Sequence, residues 1–221
     1  MANPVPELSL LETRVLGVLV EKQHTVPDSY PLTLNALVSG CNQKTSRDPI
    51  IEASEAEVQA AIDHLKSLSL VMESSGGRVM RYSQNVGKVL GVPPQSVALL
   101  AVLWLRGAQT AGELRINSDR LHKFGDILSV EAFLRELAER PAGALVMELP
   151  RAPGSREARW AHLISGEPEM TSAGAEPAPL GEALTVGEMA AMKANIDRLQ
   201  GEVEALKETV ARIARELGVT S

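Results

Sequence analysis

Apolar residues recur at intervals of three and four near the start of the chain, which predicts an amphipathic helix. The residues of its buried stripe are Leu8, Leu11, Val15 and Leu19. Ser9 and Glu12 form a capping box, in which each side chain satisfies a backbone N–H of the first turn. A shorter helix is predicted over residues 32–41, and a third helix begins at a second capping box, Ser54 and Glu57.

The pattern continues into a hairpin and then occurs a second time. Residues 70–82, LVMESSGGRVMRY, read as two short strands around a Gly-Gly turn. Residues 93–165 repeat the order of three helices and a hairpin, with a capping box at Thr110 and Glu113. The apolar face of the third helix has the same spacing in both copies. It consists of Val58, Ala61, Ile62 and Leu65 in the first copy and of Val130, Phe133, Leu134 and Leu137 in the second.

Three helices followed by a β-hairpin describe the winged helix, a helix-turn-helix module with a hairpin wing. Two copies of nearly equal length strengthen this interpretation. The sequence therefore predicts a mostly α fold with small β-hairpins (α+β), built from two tandem winged-helix domains over residues 1–88 and 89–165.

The rest of the chain predicts a flexible linker and a heptad helix. Residues 166–185 are rich in Gly, Pro, Ala, Ser and Glu and lack periodicity. In residues 186–221 apolar positions alternate in steps of three and four, which favours a parallel two-stranded coiled coil and a homodimer. The predicted seam residues are Met192, Ile196, Leu199, Val203, Leu206, Val210 and Ile213. A helix that folds back onto the chain's own domains is the alternative, and the pattern leaves it open.

Composition narrows the class of protein. The net charge is −6, and residues 169–221 carry most of it, with 5 basic against 9 acidic residues. The longest apolar run, residues 97–105, is about half the length that crosses a bilayer. Cys41 is the single cysteine, and no Cys/His spacing is of the zinc type. These features predict a cytoplasmic protein with no membrane partner.

The polar stretch GCNQKTSRDP, residues 40–49, separates the second and third helices of the first copy by about a dozen residues, whereas the second copy is expected to use only a few near residues 123–125. One interpretation is contact with nucleic-acid phosphates, since the turn before a recognition helix lies near the duplex. Basic side chains on the wings and near the second turn would extend this surface. The candidate residues are Asn42, Gln43, Lys44, Thr45, Arg47, Arg78, Arg81, Arg115, Arg120, Lys123 and Arg156, with Arg151 and Arg159 beside them on the second wing.

Two other interpretations of the stretch stay open. Its amides, hydroxyls and Asp48 are also suited to a structural clamp that caps helix ends and pairs locally with Lys44 or Arg47. The third interpretation is that the stretch is a loop that binds another protein. Carboxylates on both third helices weigh against reading of the major groove, because they repel phosphates.

Signals of catalysis are weak in this sequence. The four histidines are scattered, and the Gly-Gly pair is explained by a hairpin turn rather than by a phosphate-binding loop. Cys41, at a helix end, is more typical of a packed small residue than of a reactive thiolate. We therefore predict a non-enzymatic protein with no catalytic residues, no metal ligands and no cofactor.

Two segments carry a family resemblance. EKQHTVPDSYPLTLNALVSGCNQKTSRDP (residues 21–49) and LWLRGAQTAGELR (residues 103–115) resemble signature segments of the YceH-like family of uncharacterised bacterial proteins. The likeness covers roughly residues 8–166. It implies a tandem winged-helix fold and supplies no activity.

Together these features favour a dimeric nucleic-acid-binding protein, a transcription or chromosome-associated factor with double-stranded DNA as its partner. The alternative is a protein-interaction scaffold that uses the winged helices as docking surfaces. An exposed apolar patch on either third helix, without a continuous basic surface, would favour the scaffold.

Overall fold

The first half of the chain forms helices at the predicted caps. The computed structural model describes residues 7–75, 79–151, 155 and 157–167. Helix α1 follows the Ser9–Glu12 capping box and helix α3 follows the Ser54–Glu57 box, so both predicted starts are confirmed. The elements of this half are α1 (Leu10–Thr25), a 3-10 turn (Pro27–Ser29), α2 (Leu34–Cys41), α3 (Glu55–Ser67), and the antiparallel strands β1 (Val71–Ser75) and β2 (Met80–Gln84).

The second half repeats this order after one additional short helix. Its elements are α4 (Val86–Leu90), α5 (Pro94–Arg106), α6 (Ala111–Asn117), α7 (Ile127–Ala138), and the antiparallel strands β3 (Val146–Glu148) and β4 (Trp160–His162). Helix α6 begins at the predicted Thr110–Glu113 capping box. Helix α4 was not predicted, because its five residues are too few to show a helical period. Within the described residues, seven α-helices and two small antiparallel sheets confirm a mixed α+β fold.

Each hairpin is extended by a one-residue antiparallel bridge to the segment that precedes the second helix of its half. Leu32 and Tyr82 exchange backbone hydrogen bonds of 3.0 and 2.8 Å, and Gln109 and Trp160 exchange bonds of 3.1 and 2.7 Å. The two halves therefore repeat a local hydrogen-bonding arrangement as well as an order of elements.

The two halves pack together through their long helices α1 and α5. Residues 12–20 of α1 and 96–105 of α5 are continuously buried, so the single buried stripe predicted for α1 is too narrow. Gly17 permits the close approach, since a Cβ atom there would lie 2.8 Å from Cγ of Leu105. Residues 15–20 of this buried part, VLGVLV, are apolar on every side of the helix, which is why the helical period of α1 is weak.

The remaining predictions for the chain concern residues that the structure does not describe. Residues 168–221 hold nearly all of the predicted linker and the entire heptad segment with its seam residues, and they lie outside the described residues. The predicted domain boundaries stay a prediction. In the part of the chain that is described, no helix combines the length and apolarity that a membrane span requires.

Candidate functional site

The polar stretch between α2 and α3 is held in place by one of its own amides. Asn42 donates from Nδ2 to the carbonyl of Ala53 and accepts from the N–H of Ala53, both at 2.8 Å. This pair of bonds joins the end of α2 to the start of α3. The amide of Asn42 therefore acts as the clamp that the second interpretation anticipates.

Arg47 is buried and its hydrogen bonding is complete. Its guanidinium pairs with both carboxylate oxygens of Glu21, at 3.1 and 2.7 Å. It also donates to the carbonyls of Gly40 and Ser46 and to Oε1 of Gln43. All five N–H groups are thereby used.

This packing does not fit the prediction that Arg47 contacts phosphate, since its side chain is 0% exposed. Arg47 is held inside the protein by its ion pair with Glu21 on α1. The clamp interpretation had named Asp48 as the local partner instead. Burial raises the pKa of Glu21, but the hydrogen bonds and charge of Arg47 outweigh burial and leave that pKa below its usual range.

A second buried guanidinium, which sequence reasoning missed, holds both ends of the stretch. Arg14 on α1 donates to the carbonyl of Cys41 at 3.2 Å and to that of Pro49 at 2.7 Å. Burial and the nearby Arg47 lower the pKa of Arg14. The one signal in the sequence was a charged residue among the apolar residues of the first helix.

Cys41 lies in the same buried region. Its side chain is fully buried, and burial raises the pKa of its thiol to about 12. The thiolate is therefore scarce at neutral pH, as expected for a packed cysteine.

Only part of the polar stretch faces solvent. Lys44 and Thr45 are exposed, and Gln43 donates to the carbonyl and hydroxyl of Thr45 at 3.2 and 3.1 Å. Lys44 is the cation of this stretch whose side chain is open to a partner.

Of the two cations predicted on the first hairpin, the structure describes Arg81. Arg81 is half-buried and donates to the carbonyls of Ser29 and Pro31 at 3.3 and 2.7 Å. Arg78, and Arg156 between β3 and β4, lie outside the described residues. Helix α3 beside the first hairpin exposes Glu55, Glu57 and Asp63.

Three of the predicted basic residues lie on the connection between α6 and α7 or at its border. This connection, residues 118–126, is longer than the few residues predicted. Arg115, Arg120 and Lys123 are exposed, and none of them forms an ion pair with a carboxylate of the described residues. Arg115 makes a long bond of 3.4 Å to the carbonyl of Gly125. We call these three residues the basic turn.

Large apolar side chains are exposed on the helices that flank the basic turn. Ile116 on α6 is 73% exposed, and Leu128 and Ile127 at the start of α7 are 72% and 44% exposed. Ile127 approaches α6, since its Cδ1 lies 4.0 Å from the position that a Cβ of Gly112 would take. The sequence pattern does not single out these residues, because the helical period places them only on the outer face.

Comparison with known proteins identifies relatives over nearly the whole chain. A family profile described as "Protein of unknown function, DUF480" matches residues 8–155. A UPF0502 protein of Dechloromonas aromatica is 56% identical over 216 residues, which cover 98% of this chain and 100% of the relative. UPF0502 proteins of Methylibium petroleiphilum and Burkholderia orbicola are 59% and 58% identical over 96% of this chain and over 91% and 90% of their own lengths.

Proposed function

This chain belongs to the DUF480 (UPF0502) family of proteins of unknown function, and from that starting point we propose that it is a non-enzymatic nucleic-acid-binding protein made of two tandem winged-helix modules. Membership confirms the resemblance to the uncharacterised YceH-like family and supplies no activity. The proposal therefore depends on the fold and on the surface that it presents.

The repeated local arrangement of the two halves supports the winged-helix part of the proposal. Apart from the short helix α4, each half has three helices and then a hairpin. Each hairpin bonds to the residue just before the N-cap of the second helix, Leu32 in one half and Gln109 in the other. These backbone hydrogen bonds hold the wing against the helices. The module is then a rigid frame for the turn between the second and third helices.

The basic turn carries the nucleic-acid part of the proposal. Arg115, Arg120 and Lys123 flank the turn that lies near the duplex when a helix-turn-helix binds DNA. Their charges are exposed and form no ion pair within the described residues. Asp126 on the same connection offsets part of this charge, since hydrogen bonds from Ser129 and the charge of Arg115 lower the pKa of its carboxyl. Side chains in this position contact phosphates, and phosphate contacts set affinity and register without reading the base sequence.

The first half makes a smaller contribution in this proposal. Arg47 is paired inside the protein, and α3 presents carboxylates where a recognition helix would face the groove. Lys44 is the cation of the polar stretch that can add a contact. We therefore propose backbone binding centred on the second half, in a dimer that residues 186–221 would form.

Duplex binding and its salt dependence test the proposal. Anisotropy of a labelled duplex should show binding to the full chain at low salt. The triple variant Arg115→Glu, Arg120→Glu, Lys123→Glu should lower affinity for all duplex sequences alike and reduce the salt slope by about 3, one for each lost phosphate contact.

Lys88→Glu is the matched control, since Lys88 is an exposed lysine on α4 outside the turn. Its reversal should leave the salt slope unchanged. No duplex binding by the wild-type chain at low salt, or equal losses in the triple variant and the control, would contradict the proposal.

A protein-docking scaffold is the second candidate function, and the exposed apolar residues beside the basic turn favour it. Ile116 and Leu128 are large and more than 70% exposed, and they lie on α6 and at the start of α7, the two helices that flank the basic turn. Apolar side chains with a basic rim suit an acidic amphipathic helix. A photocrosslinking amino acid at position 128 separates the two candidates, because duplex binding predicts nucleic-acid adducts and docking predicts a single protein adduct.

A further inference from the structure

A polar cleft lies where the polar stretch of the first half meets the second half. It has a volume of about 300 Å³, within the range of small-molecule sites. Ser46 and Asp48 line it from the first half, and Arg106, Gln109, Glu113 and Arg159 line it from the second. The two sequence segments that carry the family resemblance, residues 21–49 and 103–115, thus supply most of its walls.

Several of the charges around this cleft are already engaged. The guanidinium of Arg47, which also reaches the cleft, is saturated by Glu21 and by neighbouring oxygens. Arg159 donates to the carbonyl of Ala108 at 2.8 Å and to Oε1 of Glu113 at 3.4 Å. The other oxygen of Glu113 accepts from the N–H of Thr110 at 2.9 Å.

Two hydrogen-bond donors at the cleft have side-chain N–H groups without an acceptor among the described residues. Arg106, at the end of α5, is half-buried, and neither an ion pair nor a side-chain hydrogen bond joins it to another described residue. Gln109 is 5% exposed, and its Oε1 accepts from Nδ2 of Asn117 at 2.5 Å. Its Nε2 is shielded and finds no acceptor within the described part of the chain.

An unpaired buried donor is costly, which makes Gln109 informative. A buried N–H without an acceptor has lost its hydrogen bond to water and gained none in return. The backbone of Gln109 cannot move away to relieve this cost, because both its N–H and its carbonyl are bonded to Trp160. An acceptor brought into the cleft would pair with the guanidinium of Arg106. The side chain of Gln109 would have to turn for its amide to reach the same acceptor, because its Nε2 is shielded from solvent.

We propose that this cleft is a binding site for a small free oxyanion, a carboxylate or phosphate group, with Arg106 as its charged anchor and Gln109 as a second donor. Asp48 lines the same cleft and hydrogen bonds through its backbone N–H to the carbonyl of Leu105 at 2.8 Å. Its carboxylate opposes a bound anion and keeps the affinity moderate. This proposal is independent of duplex binding by the basic turn.

The test is an NMR titration of the isotope-labelled full chain with inorganic phosphate, with sodium chloride adjusted to hold the ionic strength constant. Amide resonances of residues 46–48 and 106–109 should shift and saturate. Arg106→Gln should raise the Kd at least about tenfold, because it removes a charge-assisted contact. Asp48→Asn should lower the Kd about fivefold, because it removes a like-charge repulsion.

Arg151→Gln is the control, since Arg151 is an exposed arginine that is not among the residues lining the cleft. It should leave the Kd unchanged. The spectrum of each variant reports directly whether the variant is folded. Opposite effects of Arg106→Gln and Asp48→Asn support the proposal, whereas equal Kd values in the wild type and Arg106→Gln, or weaker binding in Asp48→Asn, overturn it.

A parallel titration with a 20-base-pair duplex (on the order of two helical turns) distinguishes a free anion from the phosphates of a nucleic acid. The triple variant of the basic turn should lose duplex binding and keep phosphate binding. Shifts in the cleft with the duplex but not with inorganic phosphate would overturn the free-anion site and assign the cleft to the nucleic-acid surface.

Discussion

At the scale of single residues, two cations of one loop have opposite environments. Lys44 is exposed, whereas Arg47, three residues later, is buried against Glu21 and Gly40. The planar guanidinium of arginine forms a two-point contact with a carboxylate, which the ammonium group of lysine cannot reproduce. This difference in geometry explains why arginine occupies the interior position.

Removal of each cation should therefore have very different effects on stability. Arg47→Ala should lower the free energy of unfolding by about 3–5 kcal/mol, because it leaves Glu21 without its buried partner. Lys44→Ala, the matched control in the same loop, should change it by less than about 0.5 kcal/mol. Urea unfolding followed by circular dichroism measures both values, and similar midpoints for the two variants would contradict the clamp.

At the scale of elements, the contact between α1 and α5 depends on a residue without a side chain. Gly17 faces Leu105 and the carbonyl of Ala101, and a Cβ atom at position 17 would lie 2.8 Å from Leu105 and 3.4 Å from that oxygen. Well-packed interiors do not absorb an added carbon without a shift of neighbours. The glycine therefore sets the separation of these two helices.

Addition of a methyl group at Gly17 and at Gly112 should have opposite effects on the stability of the protein. Gly17→Ala should destabilise the protein by about 1 kcal/mol, since overpacking costs about 1–3 kcal/mol and the gain in helix propensity returns about 1 kcal/mol. Gly112→Ala on α6, where the nearest atoms are 3.8 Å away, should stabilise it by about 0.4–1 kcal/mol. Thermal unfolding of both variants tests this, and a stabilised Gly17→Ala variant would show that α1 and α5 are less tightly packed.

At the scale of the whole molecule, the shared α1–α5 core links the two repeats. Leu8 also donates to the carbonyl of Ile164 at 2.7 Å, and Asp48 donates to that of Leu105 at 2.8 Å, so backbone bonds join the first half to the second at further points. Halves that share a core should unfold in one transition.

The two tryptophans provide a test of this coupling. Trp104 and Trp160 are the only tryptophans in the chain, and both are buried in the second half. Ile62→Ala, on α3 of the first half, should cost about 2–5 kcal/mol. The tryptophan fluorescence midpoint in urea should fall together with the midpoint from circular dichroism, and an unchanged fluorescence midpoint would show that the halves unfold separately.

Features that depend on near neighbours could be predicted from the order of residues. All three capping boxes and the repeated order of helices and hairpins were predicted, because a cap joins residues three apart and a helical face repeats within four. Which polar side chains are free depends instead on how distant segments pack. Arg47 depends on Glu21, 26 residues away, and the cleft joins segments nearly 60 residues apart. No local pattern encodes such partners, since burial and pairing arise only when distant helices pack.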